Sequence, residues 1–455
     1  MPVKPESIHP IEYRYGCERL KRLFSVENFY RTMARVELVV VEVQEKYGII
    51  PKGTSNALKN ALSKFDVHEV FEEEKKTRHD IMALINVLAR YMGRYGEYIH
   101  IGLTSADLRD TTKVLIIKQA TEHIEEKIRN LILTLGKLAA KYSDLPCVAR
   151  THGVHASIYT LGRKFAVFAD EFLRHLERLS EVKKRIFVGK ISGSVGIHSC
   201  LGELGEQIEN EVLSELGLQV DESSTQVISR DRFAELFLLL ALISTSLDKL
   251  ATEIRNLQRT EIAEVEEEFL PEQVGSTAMP HKRNPINAEN VCSLSRILRG
   301  LTISALENVV LWHERDLTNS ASERILIPEF FMLLDEQLSR MTRILNRLRI
   351  RKDNIRRNLE LTEGMIFSEI IVTKLAIKGY GRQKAHELVR RIAMKAYETR
   401  ASFKELIMSD KTIRQYLDEK ELERIFDPKE HLRVAVKRTE KIIRKIEEVL
   451  GEKIL

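Results

Sequence analysis

Residues 236–257 read LFLLLALISTSLDKLATEIRNL. Within that string Leu236, Leu240, Ile243, Leu247, Leu250, Ile254 and Leu257 recur at alternating spacings of four and three. With 3.6 residues per turn, this rhythm holds one apolar seam on one face of a helix for about six turns. A stripe that long must be covered by other helices. Two more series supply them: Ile117, Ile124, Ile128, Leu131, Leu135 and Leu138, then Phe165, Phe168, Phe172, Leu176 and Leu179. The prolines leave room, since none lies between Pro146 and Pro271 and none between Pro328 and Pro428. Strand-like alternation is nearly absent. The expected fold is all-α, with a central bundle of long helices.

At 455 residues the chain exceeds what one hydrophobic core usually serves. Three helical domains are expected: 1–110, 111–363 and 364–455. The first ends where the turn-rich stretch Gly102-Leu103-Thr104-Ser105 gives way to the second seam, and Gly364 interrupts the helical pattern before the third. The 72 Lys and Arg against 67 Asp and Glu leave a net charge of only +5, too even for a nucleic-acid binder. An anionic small molecule needs only a local cationic pocket. Cys17, Cys147, Cys200 and Cys292 are scattered, without a Cys-x-x-Cys pair, which suits a reduced compartment and no zinc site of that type. The start is polar, and the longest apolar run, Phe237 to Ile243, is too short for a bilayer. The protein is expected to be soluble and cytoplasmic, with no membrane partner.

Residues 275–285 read Gly-Ser-Thr-Ala-Met-Pro-His-Lys-Arg-Asn-Pro. Gly275, Pro280 and Pro285 forbid a continuous helix, while the segment gathers two hydroxyls, three groups able to carry positive charge and an amide. It reads as a mobile anion-binding loop. Chemistry-bearing residues gather in five other places. Arg150-Thr151-His152-Gly153-Val154-His155 sets two imidazoles at a break before the third seam. Thr77-Arg78-His79-Asp80 joins a cation, an imidazole and a carboxylate able to hold the imidazole proton, and a plain helix surface would look similar. His100 to Asp107 offers hydroxyls and backbone N–H groups at a helix start, which is either an anion seat or an ordinary N-cap. Thr225-Gln226 with Arg230-Asp231-Arg232 precedes the longest seam. Arg315-Asp316 with Ser320, Ser322, Glu323 and Arg324 forms a charged cluster that a solvated face would also explain.

The loop closely resembles the signature Gly-Ser-Ser-x-x-Pro-x-Lys-x-Asn-Pro of the fumarase/aspartase superfamily. Carboxymuconate cycloisomerases have a similar Met-Pro-His-Lys-Arg-Asn-Pro string. Thr77-Arg78-His79-Asp80, Trp312-His313-Glu314-Arg315-Asp316 and Ser322-Glu323-Arg324-Ile325 are similar to the adenylosuccinate lyase family, and that resemblance runs from Tyr13-Arg14-Tyr15-Gly16 to Phe426-Asp427-Pro428. Two positions depart from the pattern: Thr277 stands where a second serine is usual, and Ser229 where many members have glutamine.

The resemblance implies elimination of fumarate from adenylosuccinate, giving AMP, and from the succinylated carboxamide ribotide SAICAR, giving AICAR, without cofactor or metal. It implies Ser276 as base, Lys282 as the cation lowering its pKa, His152 as general acid, His79 beside it and Glu289 orienting the acid histidine. Thr104, Ser105, Lys282 and Asn284 are implied contacts to the succinyl carboxylates, with Gln226 between succinyl group and nucleotide. Arg14, Tyr15, Arg315, Ser320 and Arg324 are implied for the ribose phosphate, and Arg78 and His100 as further substrate contacts. It also implies a homotetramer in which three subunits build each site. A second enzyme of the superfamily and a non-catalytic helical scaffold are the alternatives, and retention of Ser276, Lys282, Asn284 and His152 together argues against the scaffold.

Overall fold

The computed structural model describes residues 6–454. Five long helices carry it: Ser105–Lys141, Leu161–Ile186, Asp231–Leu257, Ile286–Glu307 and Thr318–Asn346. All seven seam residues of Asp231–Leu257 are buried, as are the five of Leu161–Ile186. In Ser105–Lys141 the seam is buried as far as Leu135, and Leu138 is half-buried. Full burial of one such side chain contributes about 1.5–3 kcal/mol, so each seam outweighs weak local propensity. Among the described residues strands form only three two-stranded sheets, which keeps the fold all-α.

The chain divides into two compact units. One comprises the chain up to Lys127 with Leu176–Thr245 and Ser293–Leu338, the other Ile128–His175, Ser246–Cys292 and the chain from Ser339 onward. In the first, Phe237, Phe330 and Phe331 are fully buried, with Phe237 and Phe330 ring centroids 4.9 Å apart. Ser244, Ser295 and Gln337 satisfy one another there: the Gln337 amide donates to Ser295 Oγ at 2.7 Å, and Ser244 Oγ donates to the Gln337 carbonyl oxygen at 2.8 Å. A buried polar group without a partner would cost about 1–3 kcal/mol, so the closed triad makes these polar side chains tolerable in a core. In the second unit Phe367, Phe403, Phe426, Ile371, Ile407 and Leu422 form a core that also takes in Val148.

Two local features go beyond the sequence reading. Pro328, which in the sequence only bounds a proline-free interval open to helix, lies inside the helix Thr318–Asn346. It offers no N–H to the carbonyl one turn back, but burial of Leu326, Ile327, Phe330 and Phe331 around it outweighs that loss. The break expected around His152 is a β-hairpin, Pro146–Thr151 paired antiparallel with Val154–Thr160. Its two-residue turn is His152-Gly153, both at positive φ (54° and 79°), the geometry that matches strand twist in a tight hairpin.

Candidate active site

Within the second unit, the segment 275–285 is free of regular structure, and the helix Ile286–Glu307 starts right after Pro285. Asn284 Nδ2 donates to the Gly275 carbonyl at 3.2 Å, tying the ends of the loop together. Gly275 is required there, because a Cβ would run into the Lys282 carbonyl oxygen. Ser276 Oγ accepts the backbone N–H groups of Met279 at 3.1 Å and Ala278 at 3.3 Å. Two N–H dipoles on one hydroxyl oxygen favour its anionic form. The side chains of Lys282 and Glu289 are exposed. Glu267 caps the helix that follows, accepting from Ala288 N at 2.7 Å and Asn287 N at 3.2 Å.

His152 is exposed at the hairpin tip. The hairpin behind it is anchored by Arg150, whose guanidinium donates to buried Glu264 at 2.5 Å, and Asn358 Nδ2 donates to the same Glu264 oxygen at 2.9 Å. Burial, then the Arg150 charge, push the His155 imidazole below its usual pKa. No hydrogen bond joins Ser276 to His152 among the described residues.

Within the first unit, His79 is the N-cap of the helix Asp80–Met92, its Nδ1 accepting from Met82 N at 3.2 Å. That leaves the ring proton on Nε2, 3.4 Å from Ser105 Oγ, so His79 and Ser105 are brought together. Asp80 does not hold the imidazole proton, as the sequence suggested: both its oxygens accept from Arg109, at 2.6 and 2.7 Å. One Arg109 nitrogen, Nη2, bridges both carboxylate oxygens, and His79 Nδ1 stays 3.7 Å from Asp80 Oδ1. Arg78 ends the preceding helix at φ 56°.

The turn from His100 to Ser105 is fixed by side chains the sequence did not single out. Glu37, fully buried, accepts from the His100 backbone N–H at 2.7 Å and lies 3.0 Å from His100 Nδ1. Gln44 Nε2 donates to the Ile101 carbonyl at 2.8 Å. Asp107 accepts from Thr104 N at 2.7 Å and pairs with Lys190, and both members of that ion pair are inaccessible to solvent. Burial pulls the His100 pKa down, but Glu37 outweighs it and the net shift is upward. The sequence signal for Glu37 was weak, since the apolar run Val36 to Val43 embeds two carboxylates, Glu37 and Glu42.

Gln226 is half-buried, its N–H reaching the Glu314 carbonyl at 3.3 Å. Beyond it, Arg230 donates to Asp110 at 2.5 and 2.9 Å and to Glu323 at 2.8 Å, and Lys113 pairs with Glu323. Glu323 is buried among these partners, whereas Arg324 next to it is exposed, so only part of the cluster is a solvated face. Burial would raise the Asp110 carboxyl, but Arg230 and Lys113 hold it well below the usual carboxylate range. Ser320 and Arg324 line a cavity of about 410 Å³ with Arg109, Lys113, Tyr30 and Phe24. Burial, followed by Glu74, pushes the Tyr30 hydroxyl up to about 12. Arg315, nearby in sequence, is half-buried and donates through Nε to the Asp316 carbonyl at 3.0 Å. In the N-terminal stretch Arg14 is exposed and Tyr15 half-buried.

The fold is similar to that of a fumarate lyase from Mesorhizobium sp. BNC1, with a TM-score of 0.86 over 99% of this chain and 100% of that one at 29% identity. It is equally similar to a 3-carboxy-cis,cis-muconate lactonizing enzyme from Pseudomonas putida, TM-score 0.86, 27% identity, 96% and 99% covered. Residues 25–300 match the family described as Lyase, and residues 364–442 the one described as Adenylosuccinate lyase C-terminus. Fold and signature loop thus define an all-α lyase of the fumarase/aspartase superfamily. The adenylosuccinate lyase of Pyrococcus horikoshii is 43% identical over 445 residues, 97% of this chain and 99% of that protein, and this chain belongs to the adenylosuccinate lyase family. No helix of the described residues is long and apolar enough to cross a membrane.

Proposed function

We propose that the chain eliminates fumarate from adenylosuccinate, releasing AMP, and from SAICAR, releasing AICAR. The observation that carries this reading is the pair of backbone N–H groups on Ser276 Oγ inside the family's signature loop. A serine hydroxyl becomes a usable base only where its alkoxide is stabilised, and those two donors supply part of that stabilisation, with Lys282 supplying charge on closure. Ser276 takes the proton from the carbon beside a carboxylate. The dianionic intermediate is held by Lys282, Asn284, Thr104 and Ser105 until the C–N bond breaks, and His152 gives its proton to the departing nitrogen. Glu289 orients His152, and Gln226 sits between the succinyl group and the nucleotide. His79, its Nε2 3.4 Å from Ser105 Oγ, binds the phosphate or orients the acid His152. Arg14, Tyr15, Arg78, His100, Arg315, Ser320 and Arg324 serve the nucleotide and its phosphate, for which arginine's fixed fork is suited.

These residues assemble from several subunits of a homotetramer. Support comes from apolar side chains left exposed on the long helices: Leu238 and Leu242 on one, Ile297, Ile303 and Leu306 on another. The division into 1–110, 111–363 and 364–455 is part of the same reading, and the C-terminal family match begins at 364.

The direct test is fumarate release from adenylosuccinate by the purified chain, and its absence would remove the reading. Shared sites are tested by mixing Ser276→Ala and His152→Ala chains: subunit exchange is expected to restore part of the activity, and verified hybrids that stay inactive would refute sharing.

A further inference from the structure

One cluster in the first compact unit has no part in the elimination. Cys17 Sγ lies 3.6 Å from His123 Nε2, and that nitrogen lies 2.7 Å from Asp335 Oδ1. The other Asp335 oxygen accepts the Cys17 backbone N–H at 3.0 Å. Thiol, imidazole and carboxylate ligand atoms all lie within 4.8 Å of one another. His123 and Asp335 are buried, at 5% and 2% exposure, while Cys17 is half-buried and opens the cluster to solvent. Buried His123 Nδ1 has no partner, so Nε2 is the ring's engaged nitrogen.

We propose that Cys17, His123 and Asp335 bind one thiolate-favouring divalent cation of the zinc or cobalt(II) type, with water completing a tetrahedron. Bond lengths of about 2.3 Å to sulfur and 2.0 Å to nitrogen, at the tetrahedral angle, set those two atoms about 3.5 Å apart. The chain already has 3.6 Å. The nitrogen–oxygen separation opens by roughly half an ångström to admit the ion. Sulfur and imidazole ligands select against magnesium and calcium. Thiolate and carboxylate offset the dication, with Lys127 Nζ 3.9 Å from Asp335 Oδ1 as a further charge beside it. Binding releases the thiol proton and shifts the imidazole proton from Nε2 to Nδ1, so one proton leaves per ion and occupancy rises with pH.

The site clips together positions 106 and 212 residues apart in sequence. Cys17 precedes the helix Glu18–Leu23 and follows Arg14 and Tyr15 closely, so the ion also steadies the segment that carries those two residues. Its role is structural and separate from the proton transfers.

The test uses the full chain, stripped with chelator and titrated with cobalt(II). One equivalent is expected to give thiolate-to-cobalt charge-transfer absorption and the visible bands of tetrahedral cobalt, with zinc displacing it and raising Tm. Cys17→Ser is expected to lose the charge-transfer band and weaken binding by more than about a hundredfold, while Cys200→Ser, at an exposed thiol, keeps both. Circular dichroism without metal checks that the variant folds. Should Cys17→Ser not fold, His123→Gln decides, since it keeps the thiol and is expected to bind more weakly. Absence of the band in the natural chain, its survival in Cys17→Ser, its loss in Cys200→Ser, or undiminished affinity in His123→Gln would each overturn the proposal.

Discussion

The signature loop and the His100–Ser105 turn carry charge-binding groups in opposite ways. Residues 276–283 are mostly exposed and are held by the Ser276 hydroxyl turn, the Asn284 tie across the loop ends, and Gln258 and Glu266 at Arg283. The turn is clamped from beneath by Glu37, Gln44 and the buried Asp107–Lys190 pair. The contrast teaches where rigidity is useful. A seat that must recognise a fixed anion gains from being ordered beforehand, whereas a base that must be shielded from water only during turnover gains from a segment free to close.

The largest effect is expected on the loop side. Ser276→Ala should lower kcat by about 10³–10⁴-fold while leaving substrate binding nearly intact, as read by steady-state kinetics and equilibrium binding. Turnover within a few-fold of the natural chain would remove the serine from its role. On the turn side, Lys190→Met leaves a buried carboxylate short of its counter-ion and should cost about 3–5 kcal/mol in denaturant unfolding. A loss below about 1 kcal/mol would show that the turn is not clamped as described.

Arg324→Ala is expected to weaken binding of phosphorylated ligands by about 2 kcal/mol, roughly thirtyfold, and to leave succinyladenosine little changed. Equal sensitivity of the two ligands would exclude phosphate recognition and favour a cycloisomerase-type substrate. The smallest effect concerns Glu37. His100 titrates above the usual histidine value of 6.5, because Glu37 outweighs burial. A raised folded-state pKa means that the stability contribution is complete below pH 6.5 and fades as pH rises through the folded value. Nucleotide affinity should fall over the same window. Glu37→Gln should move that fall to lower pH and cost roughly 1 kcal/mol near neutrality, measured by ligand titration across pH. An unchanged profile would make Glu37 a purely structural partner.

The sequence alone determined the helical class, the long seams and the non-helical signature loop. Those are legible because an apolar seam needs only its own periodicity, and a segment with Gly275, Pro280 and Pro285 cannot be helical whatever surrounds it. What only the tertiary structure decided are pairings between residues far apart in sequence. It gave Asp80 to Arg109 instead of His79, turned Glu323 from a surface charge into the partner of Arg230, and put Glu37 beneath His100. It also bent the His152 stretch into a hairpin and kept Pro328 within a helix. A buried charge is tolerated only beside its partner, and the choice among several carboxylates of similar chemistry is made by which one the packed core brings within hydrogen-bond reach.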